Sequence, residues 1–320
     1  MAGKRTALFV TFFALITLGF FRTQSEARVE SMEEVAPGVW FREGDLKGKG
    51  HCNNVVIEMK DYLIVVDANF PSGAQAVLAD IRRVSKKPVR YVFDTHHHGD
   101  HAYGNPIWTK HGATTLAHVN VIEEMKRYEP KRWQAEQRAD VKALKLSAPQ
   151  PPRQTFQQSP FVLDDGNRRV EFHHFGWAHT RGDGFVYLPK ERILCTGDAA
   201  TNGPYNYTGD AHLANWPLVL GQAAKLDVAK VLPGHGPAGG SEILTGQMEF
   251  LLQLRRSVSR AIQQGQTLND LVVMQEGRAV KATLTLPDSV RHWVGESLPT
   301  QIKDAFEEIS AGKPHGDLPH

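Results

Sequence analysis

Four side chains that commonly bind metals lie within six residues of this chain, in the pattern His96-x-His98-x-Asp100-His101. The pattern comes almost directly after residues 89–93, a short apolar stretch typical of a buried strand, so its side chains should project from the carboxyl end of a sheet. Imidazole and carboxylate groups suit zinc, and less often iron or manganese. Because such crowding without a metal would leave polar groups poorly satisfied, the pattern predicts a metal site.

Residues 96–101 match the H-x-H-x-D-H signature of the metallo-β-lactamase superfamily. Three later segments also resemble motifs of that family, in the expected order. They are residues 178–183 (AHTRGD) for the third histidine, 196–198 (TGD) for the bridging aspartate and 233–236 (PGHG) for the last histidine. The resemblance extends from about residue 35 to residue 240.

The resemblance implies a centre with two zinc ions, although iron or manganese can occupy the same ligand set. The residues expected to hold the first ion are His96, His98 and His179, and those expected to hold the second are Asp100, His101 and His235. Asp198 would bridge both ions. Asp67 ends an apolar strand where the family keeps an aspartate, and it would orient a ligand through a hydrogen bond.

Such a centre implies hydrolysis without a serine or cysteine nucleophile. Two zinc ions would hold a water molecule as hydroxide near neutral pH. Asp100, the expected catalytic residue, would orient this hydroxide and carry a proton to the leaving group. The resemblance therefore implies an enzyme that cleaves a small ester, lactone, β-lactam-like amide or thioester.

The residue at position 198 leaves the substrate open. The best-known metallo-β-lactamases have a cysteine ligand there, and Cys195, three residues earlier, is a poor match. In having an aspartate at this position, the chain is instead similar to glyoxalase II-like thioesterases, lactonases, alkylsulfatases and sulfur dioxygenases. The alternatives are therefore a β-lactamase proper and an iron-dependent sulfur dioxygenase with the same ligands. A non-catalytic exported binding protein is disfavoured by the complete ligand set.

The first residues have the pattern of a secretory signal peptide. Lys4 and Arg5 precede an almost uninterrupted apolar run over residues 7–21, and Ser25-Glu26-Ala27 follows it. The run is about 15 residues long, shorter than the ~20 needed to span a bilayer. We therefore expect cleavage after Ala27, no stable membrane anchor, and a periplasmic or secreted protein.

Charge and cysteine content narrow the partners. The net charge is +2 without a concentrated basic face, so we expect a small-molecule substrate and no nucleic acid. The basic residues of segment 127–145, Arg132 among them, alternate with acidic ones and predict a solvated helix face. Cys52 and Cys195 are interpreted as small buried hydrophobes, with a disulfide as the alternative in an oxidising compartment. The oligomeric state stays open.

The order of predicted elements, strands then βα units then strands then helices, indicates an α/β domain. The family resemblance implies a four-layer αββα sandwich. We expect a signal peptide over 1–27, the catalytic domain over 28–245, and helices with a polar tail over 246–320, packed on the same domain. The pattern predicts one strand over 35–41, and two helices in 119–145 separated by Pro130. After a helix over 247–264, it predicts only another helical turn or two.

Other residues near the motifs receive weaker predictions. His51, His111 and His118 are expected at the surface, His173 and His174 in structural roles, and His212 near the site. Arg181 is expected to meet either an anionic substrate or Asp183. The aromatic loop of residues 202–207 is expected to line the substrate cleft, because it follows Asp198 directly.

Overall fold

The computed structural model describes residues 32–45 and 51–319. Within these residues, seven strands form a first sheet in chain order: β1 (Met32–Ala36), β2 (Val39–Arg42), β3 (Asn54–Glu58), β4 (Leu63–Val66), β5 (Val89–Phe93), β6 (Thr114–His118) and β7 (Gln154–Phe156). Five strands form a second sheet, in the order β12 (Lys230–Pro233), β11 (Ile193–Gly197), β10 (Phe185–Leu188), β9 (Arg169–His173) and β8 (Phe161–Asp164). A separate hairpin joins β13 (Val272–Gln275) to β14 (Arg278–Ala282).

Nine α-helices are present within the described residues, and several of them cover the outer faces of the two sheets. They are α1 (Pro71–Val84), α2 (Gly99–Ala102), α3 (Asn105–Lys110), α4 (Val119–Ala135), α5 (Ala139–Lys142), α6 (Trp216–Ala223), α7 (Glu242–Gln263), α8 (Leu268–Leu271) and α9 (Leu298–Ala311). Side chains of α1 and α3 pack on the first sheet, and those of α6, α7 and α9 pack on the second.

The apolar strands face two cores at once, which explains their continuous hydrophobic runs. In β3, Val55 and Ile57 point into the core between the sheets, whereas Val56 points towards α1. In β10, Val186 shares the core between the sheets, and Phe185 packs on the opposite face with the helices of the second sheet. The two sheets are therefore the inner layers of a four-layer αββα sandwich, which confirms the predicted fold class.

The candidate ligands come from the carboxyl ends of strands in both sheets. Residues 94–101 follow β5 in the first sheet, and Asp198 and His235 follow the parallel strands β11 and β12 in the second. Glycine is required at position 234, since a Cβ there would overlap Asp198 Oδ1. Asn53, just before β3, joins the sheets: its side-chain amide donates to the carbonyls of Pro233 and Gly236, both at 2.8 Å.

Two element predictions in the first half of the chain are wrong. The single strand expected over 35–41 is a hairpin, because Pro37 and Gly38 form a turn in which Gly38 has a φ of +70°. Pro130 lies inside α4 instead of separating two helices, and the chain leaves the helix at Glu136. The neighbours Met125 and Trp133 are buried, so tertiary packing outweighs the cost of about 3 kcal/mol for a proline inside a helix.

The C-terminal region contains more structure than the sequence predicted. The β13–β14 hairpin and the 14-residue helix α9 follow α7 where only a helical turn or two was expected. Side chains of α7 and α9 share one core with β10 and β11. The division of the chain at residue 245 stays a prediction, and α7 runs across it.

Both cysteines are buried free thiols, which confirms their interpretation as small hydrophobes and excludes the Cys52–Cys195 disulfide in this structure. The predicted signal peptide and its cleavage point after Ala27 lie outside the described residues. Within residues 32–45 and 51–319, no helix has both the length and the apolar character that crossing a membrane requires.

Candidate metal centre

Three imidazoles from distant segments converge on one point. His98 Nδ1 lies 3.1 Å from His96 Nε2 and 3.1 Å from His179 Nε2. We call these three residues the first group. His179 comes from the loop between β9 and β10, so the second sheet completes a cluster that begins in the first.

The neighbours of the outer ring nitrogens indicate which nitrogen of each ring in the first group carries the hydrogen. His98 Nε2 faces Asp210 Oδ2 at 2.8 Å, and His179 Nδ1 faces the carbonyl of Tyr207 at 2.9 Å. His96 Nδ1 faces the Thr95 hydroxyl, whose own hydrogen is donated to Asp67. Because each outer nitrogen meets an acceptor, we assign the proton to it. On this assignment the inner nitrogens of the three rings present lone pairs to one another, an arrangement that a cation stabilises.

A second cluster lies beside the first and combines imidazoles with carboxylates. We call Asp100, His101 and His235 the second group. Asp100 Oδ2 lies 3.5 Å from His101 Nε2 and 3.2 Å from His235 Nε2. Asp198 lies 3.3 Å from His101 Nε2 through Oδ1 and 3.4 Å from His235 Nε2 through Oδ2.

Asp198 also faces the first group. Its Oδ2 atom lies 3.8 Å from His179 Nε2 and 4.0 Å from His96 Nε2. The ligand atoms of His96, His98, His179 and Asp198 all lie within 4.8 Å of one another, as do those of His101, Asp198 and His235. One carboxylate is thus placed between the two groups, where the bridging aspartate was expected.

The donor spacing fits metal ions. Ligand atoms held at about 2.0–2.1 Å by a tetrahedral zinc lie about 3.3 Å apart. Four contacts within the two groups have such lengths, from 3.1 to 3.5 Å. The buried atoms His101 Nε2 and Asp198 Oδ1 also form no hydrogen bond, whereas most buried polar atoms in proteins form at least one. These residues could therefore hold metal ions.

Electrostatics differ between the two groups. Burial lowers the pKa of His98 to about 3 and that of His179 to about 4, so both rings are neutral at pH 7. Burial also acts to lower the pKa of His235, but the carboxylates of Asp198 and Asp100 raise it to about 9. Asp198 and Asp67 likewise raise the pKa of His101 against the effect of burial.

A cleft of about 530 Å³ opens over the second group. Aromatic side chains form much of its wall, and the polar residues Arg132 and Glu129 lie at one side. The aromatic lining residues are Phe70, Tyr103, Tyr205 and Tyr207. Residues 204–207 of the predicted loop 202–207 therefore line the cleft.

The sequence profile of the Metallo-beta-lactamase superfamily matches residues 48–235, more than half of the chain. This chain belongs to the metallo-beta-lactamase superfamily. It is accordingly a metal-dependent hydrolase of that family, as the motifs predicted.

Named relatives in the superfamily support this assignment. The Metallo-beta-lactamase type 2 of Bacillus cereus is 24% identical over 237 residues, which is 71% of this chain and 85% of the relative. That of Bacteroides fragilis is 31% identical over 114 residues, 34% of this chain and 45% of the relative. The solved metallo-beta-lactamase from Pontibacter korlensis shares the fold with a TM-score of 0.57 and 21% identity, over 69% of this chain and 98% of that one.

Supporting residues of this superfamily member include two that the sequence prediction missed. Arg132 was expected on a solvated helix face, but it binds both carboxylate oxygens of Asp210 at 2.7 Å. Asp210 in turn accepts from His98, a contact across 112 residues. Asp67 lies behind the second group as predicted, with Oδ2 2.9 Å from His101 Nδ1. Neither Arg132 nor Asp210 belongs to a recognisable motif, so only the fold reveals them.

The remaining histidines divide between structure and site. His111 is exposed as predicted, but His118 is buried and stacks on His174 with ring centroids 3.9 Å apart. His173 pairs with Glu171 at 3.0 Å, in the structural role expected for it.

Three further predictions concern residues beside the cleft. The prediction of a surface position for His51 is wrong, because its ring lines the cleft beside Asp100. His212 lies against Trp177, with ring centroids 5.3 Å apart, and is absent from the residues that line the cleft. Within the part of the chain that the structure describes, Arg181 pairs with Glu124 and Asp317 instead of Asp183, and its contact with an anionic substrate stays a prediction.

Proposed function

We propose that this protein is an exported dinuclear-zinc hydrolase that cleaves a small ester, lactone, thioester or β-lactam-like amide. The observation that carries the proposal is the set of bare imidazole nitrogens directed at one another in the first group, beside carboxylates spaced about 3.3 Å from their neighbours in the second. Both groups border the same carboxylate, that of Asp198.

The proposed ligands are divided between two ions. His96, His98 and His179 would hold one ion, Asp100, His101 and His235 the other, and Asp198 both. A pair of zinc ions, when bound, lowers the pKa of a shared water and polarises the bond to be cleaved. The donor set is also compatible with iron or manganese, so the metal itself is part of the test.

The surrounding residues would position the substrate. Asp100 borders the cleft, so its carboxylate can take a proton from the attacking water and return it to the leaving group. The aromatic wall, which includes Phe70 and Tyr205, gives an apolar substrate portion a surface to pack on. Arg132 borders the cleft while Asp210 holds its guanidinium in place.

A hydrolysis panel with metal analysis tests the proposal. Purified protein loaded with zinc should contain about two zinc ions per chain and hydrolyse at least one of a carboxylic ester, a lactone, a thioester and the β-lactam nitrocefin. Hydrolysis of a phosphodiester alone would contradict the proposed substrate class. The His98→Ala variant should lose that activity. A folded sample that binds no zinc would overturn the proposal. Stoichiometric iron with oxygen consumption, in protein from its native host, would favour the sulfur dioxygenase alternative.

A β-lactamase proper is the second candidate, and the named relatives favour it. The Bacillus cereus relative is aligned over 71% of this chain, and it is named a metallo-beta-lactamase. The hydrolysis panel separates the two candidates. A kcat/KM for nitrocefin well above that for the lactone and the thioester would identify a β-lactamase, whereas the reverse order would support the broader proposal.

Export is proposed from the N-terminal pattern. Lys4 and Arg5 followed by an apolar run and Ser25-Glu26-Ala27 are typical of a cleaved signal. Protein recovered from the extracytoplasmic fraction of its host should begin at Arg28. An intact N-terminus on protein in the cytoplasmic fraction would contradict this part of the proposal.

A further inference from the structure

His51 is the cleft residue closest to the Asp100 carboxylate. Its Nδ1 atom lies 2.8 Å from Asp100 Oδ2, and its side chain is 27% exposed. The ring packs edge-on against Phe70 and His235, with centroid distances of 5.4 and 5.8 Å. His51 is part of none of the motifs that carry the resemblance to the superfamily.

The backbone next to His51 is fixed to the loop that carries His235. The Asn53 N–H donates to the carbonyl of Gly234 at 2.8 Å, and the Asn53 side chain bonds two further carbonyls of that loop. The carbonyl of Cys52 accepts from the side chain of Asn69 at 3.0 Å. His51 is therefore held at a defined distance from the second group.

The contact length separates a hydrogen bond from shared ligation. Atoms that share a tetrahedral zinc lie about 3.3 Å apart, as do the donor pairs of the second group, at 3.2 to 3.5 Å. The 2.8 Å between His51 and Asp100 is shorter and matches an N–H donor on a carboxylate. We therefore treat His51 as a hydrogen-bond donor to Asp100. The alternative is an ion shared by His51, Asp100 and His235, whose ligand atoms lie within 4.8 Å of one another, and the zinc titrations separate the two.

Asp100 has few other groups that could fix its orientation. Within residues 32–45 and 51–319, its polar side-chain partners are the imidazoles of His51, His101 and His235. The last two would turn their nitrogens to a metal ion. His51 then remains as the donor that can hold the carboxylate whether or not an ion is bound.

We propose that His51 is a positioning residue of the second metal site, which holds the Asp100 carboxylate in its metal-binding orientation through an Nδ1–H hydrogen bond. The proposal rests on the proposed dinuclear function. Residues that orient a metal ligand typically contribute 10–100-fold to metal affinity, so the effect should be confined to the second ion.

Zinc titrations of three variants test this role. The second zinc should bind about 10–100-fold more weakly to His51→Ala in competition with a chromophoric chelator, while the first binds as in wild type. His51→Asn should recover most of the affinity, because its amide can donate from nearly the position of Nδ1 but is a poor zinc ligand. His111→Ala, at an exposed histidine, is the matched control and should bind both ions normally.

Separate outcomes test the inference and the function. Wild-type affinity of His51→Ala for the second zinc would overturn the inference. If His51→Asn binds the second zinc as weakly as His51→Ala, the positioning role is wrong, and shifted d–d bands in the Co(II)-saturated variant would identify His51 as a direct ligand. A wild-type protein that binds fewer than two zinc ions would instead refute the dinuclear function itself. Unchanged metal-free unfolding midpoints would show that the variants fold.

Discussion

Both groups of the candidate metal centre are buried, but the pKa values of His98 and His235 shift in opposite directions. In the first group, burial lowers the pKa of His98 to about 3. In the second, Asp198 and Asp100 overcome the same burial and raise the pKa of His235 to about 9. His98 also meets a carboxylate, that of Asp210, but burial and the neighbouring rings of His97 and His179 outweigh it, whereas the two carboxylates beside His235 outweigh burial.

The contrast has a consequence for metal binding, because zinc needs neutral imidazole ligands. The first group presents neutral rings, whose lone pairs repel one another until a cation arrives. The second group stabilises itself through ion pairs such as His101 with Asp67, at 2.9 Å, and must release protons when an ion binds. The first group would therefore bind a cation without releasing protons, whereas the second would release protons on binding one.

Replacing the residue shared by both groups should have the largest effect. Asp198→Ala should reduce binding of both zinc ions and lower kcat/KM by more than about 100-fold, beyond the range for residues that only support a ligand. Metal content and steady-state kinetics measure this. Asp227→Ala, at an exposed aspartate that pairs with Arg192, is the control and should be neutral. Retention of both ions without Asp198 would show that the two groups are independent.

Removing one ligand from each group should separate them. His98→Ala should lose the first ion and His235→Ala the second, because each imidazole borders only one group apart from the shared Asp198. Each variant should therefore retain about one zinc per chain. Metal content measured after dialysis against a weak chelator checks this. Loss of both ions from either variant would mean that the groups bind cooperatively.

Substitutions of the carboxylates that contact the candidate ligands from behind should have smaller effects on zinc affinity. Asp210→Asn should weaken the first ion by about tenfold, since it removes the charge facing His98 Nε2. Asp67→Asn should weaken the second ion by a similar factor through His101, and the first ion less, through Thr95 and His96. Zinc competition titrations measure both effects. Asp317→Asn is the control, because it removes the ion pairs of Asp317 with Arg127 in α4 and with Arg181 and leaves the candidate ligands unchanged. The contrast fails if either variant affects both ions equally.

The smallest predicted effect concerns the pKa of His118, which stacks on His174 away from the candidate metal centre. Burial, with His174 adding to it, lowers the pKa of His118 to about 4 in the folded protein. The unfolded chain takes up this proton as the pH falls below about 6.5, so folding loses stability from there down to about pH 4. His118→Phe should remove about 1 kcal/mol of this loss between pH 7 and pH 5. Urea unfolding with a chelator present measures it. An equal stability difference between the proteins at both pH values would contradict the prediction.

The parts of the site that the sequence predicted share a local signal. The strand β5 and the ligand-rich residues after it are contiguous, so hydrophobic pattern and spacing identified them together. Asp198 and His235 occur in short glycine-containing motifs, because the backbone there passes close to the ligands. The structure brings all seven expected side chains together, while their metal ligation stays a prediction.

The parts that the sequence missed depend on contacts between distant segments. His51 meets Asp100 across 49 residues and Arg132 meets Asp210 across 78, without a pattern around either residue. Pro130 misled the helix prediction because local propensity ignores the buried side chains on both sides of it. The β13–β14 hairpin has weak alternation and largely exposed strands, so its stability comes from packing against α9 rather than from its own sequence.

The division of the candidate ligands between the two sheets has a mechanical consequence. Four of them follow β5 in the first sheet, while His179, Asp198 and His235 arrive from the second. An ion bound there would link the two sheets at the carboxyl ends of their strands and oppose movement of one sheet relative to the other. Loss of the ion would then reduce both activity and the stability of the contact between the sheets.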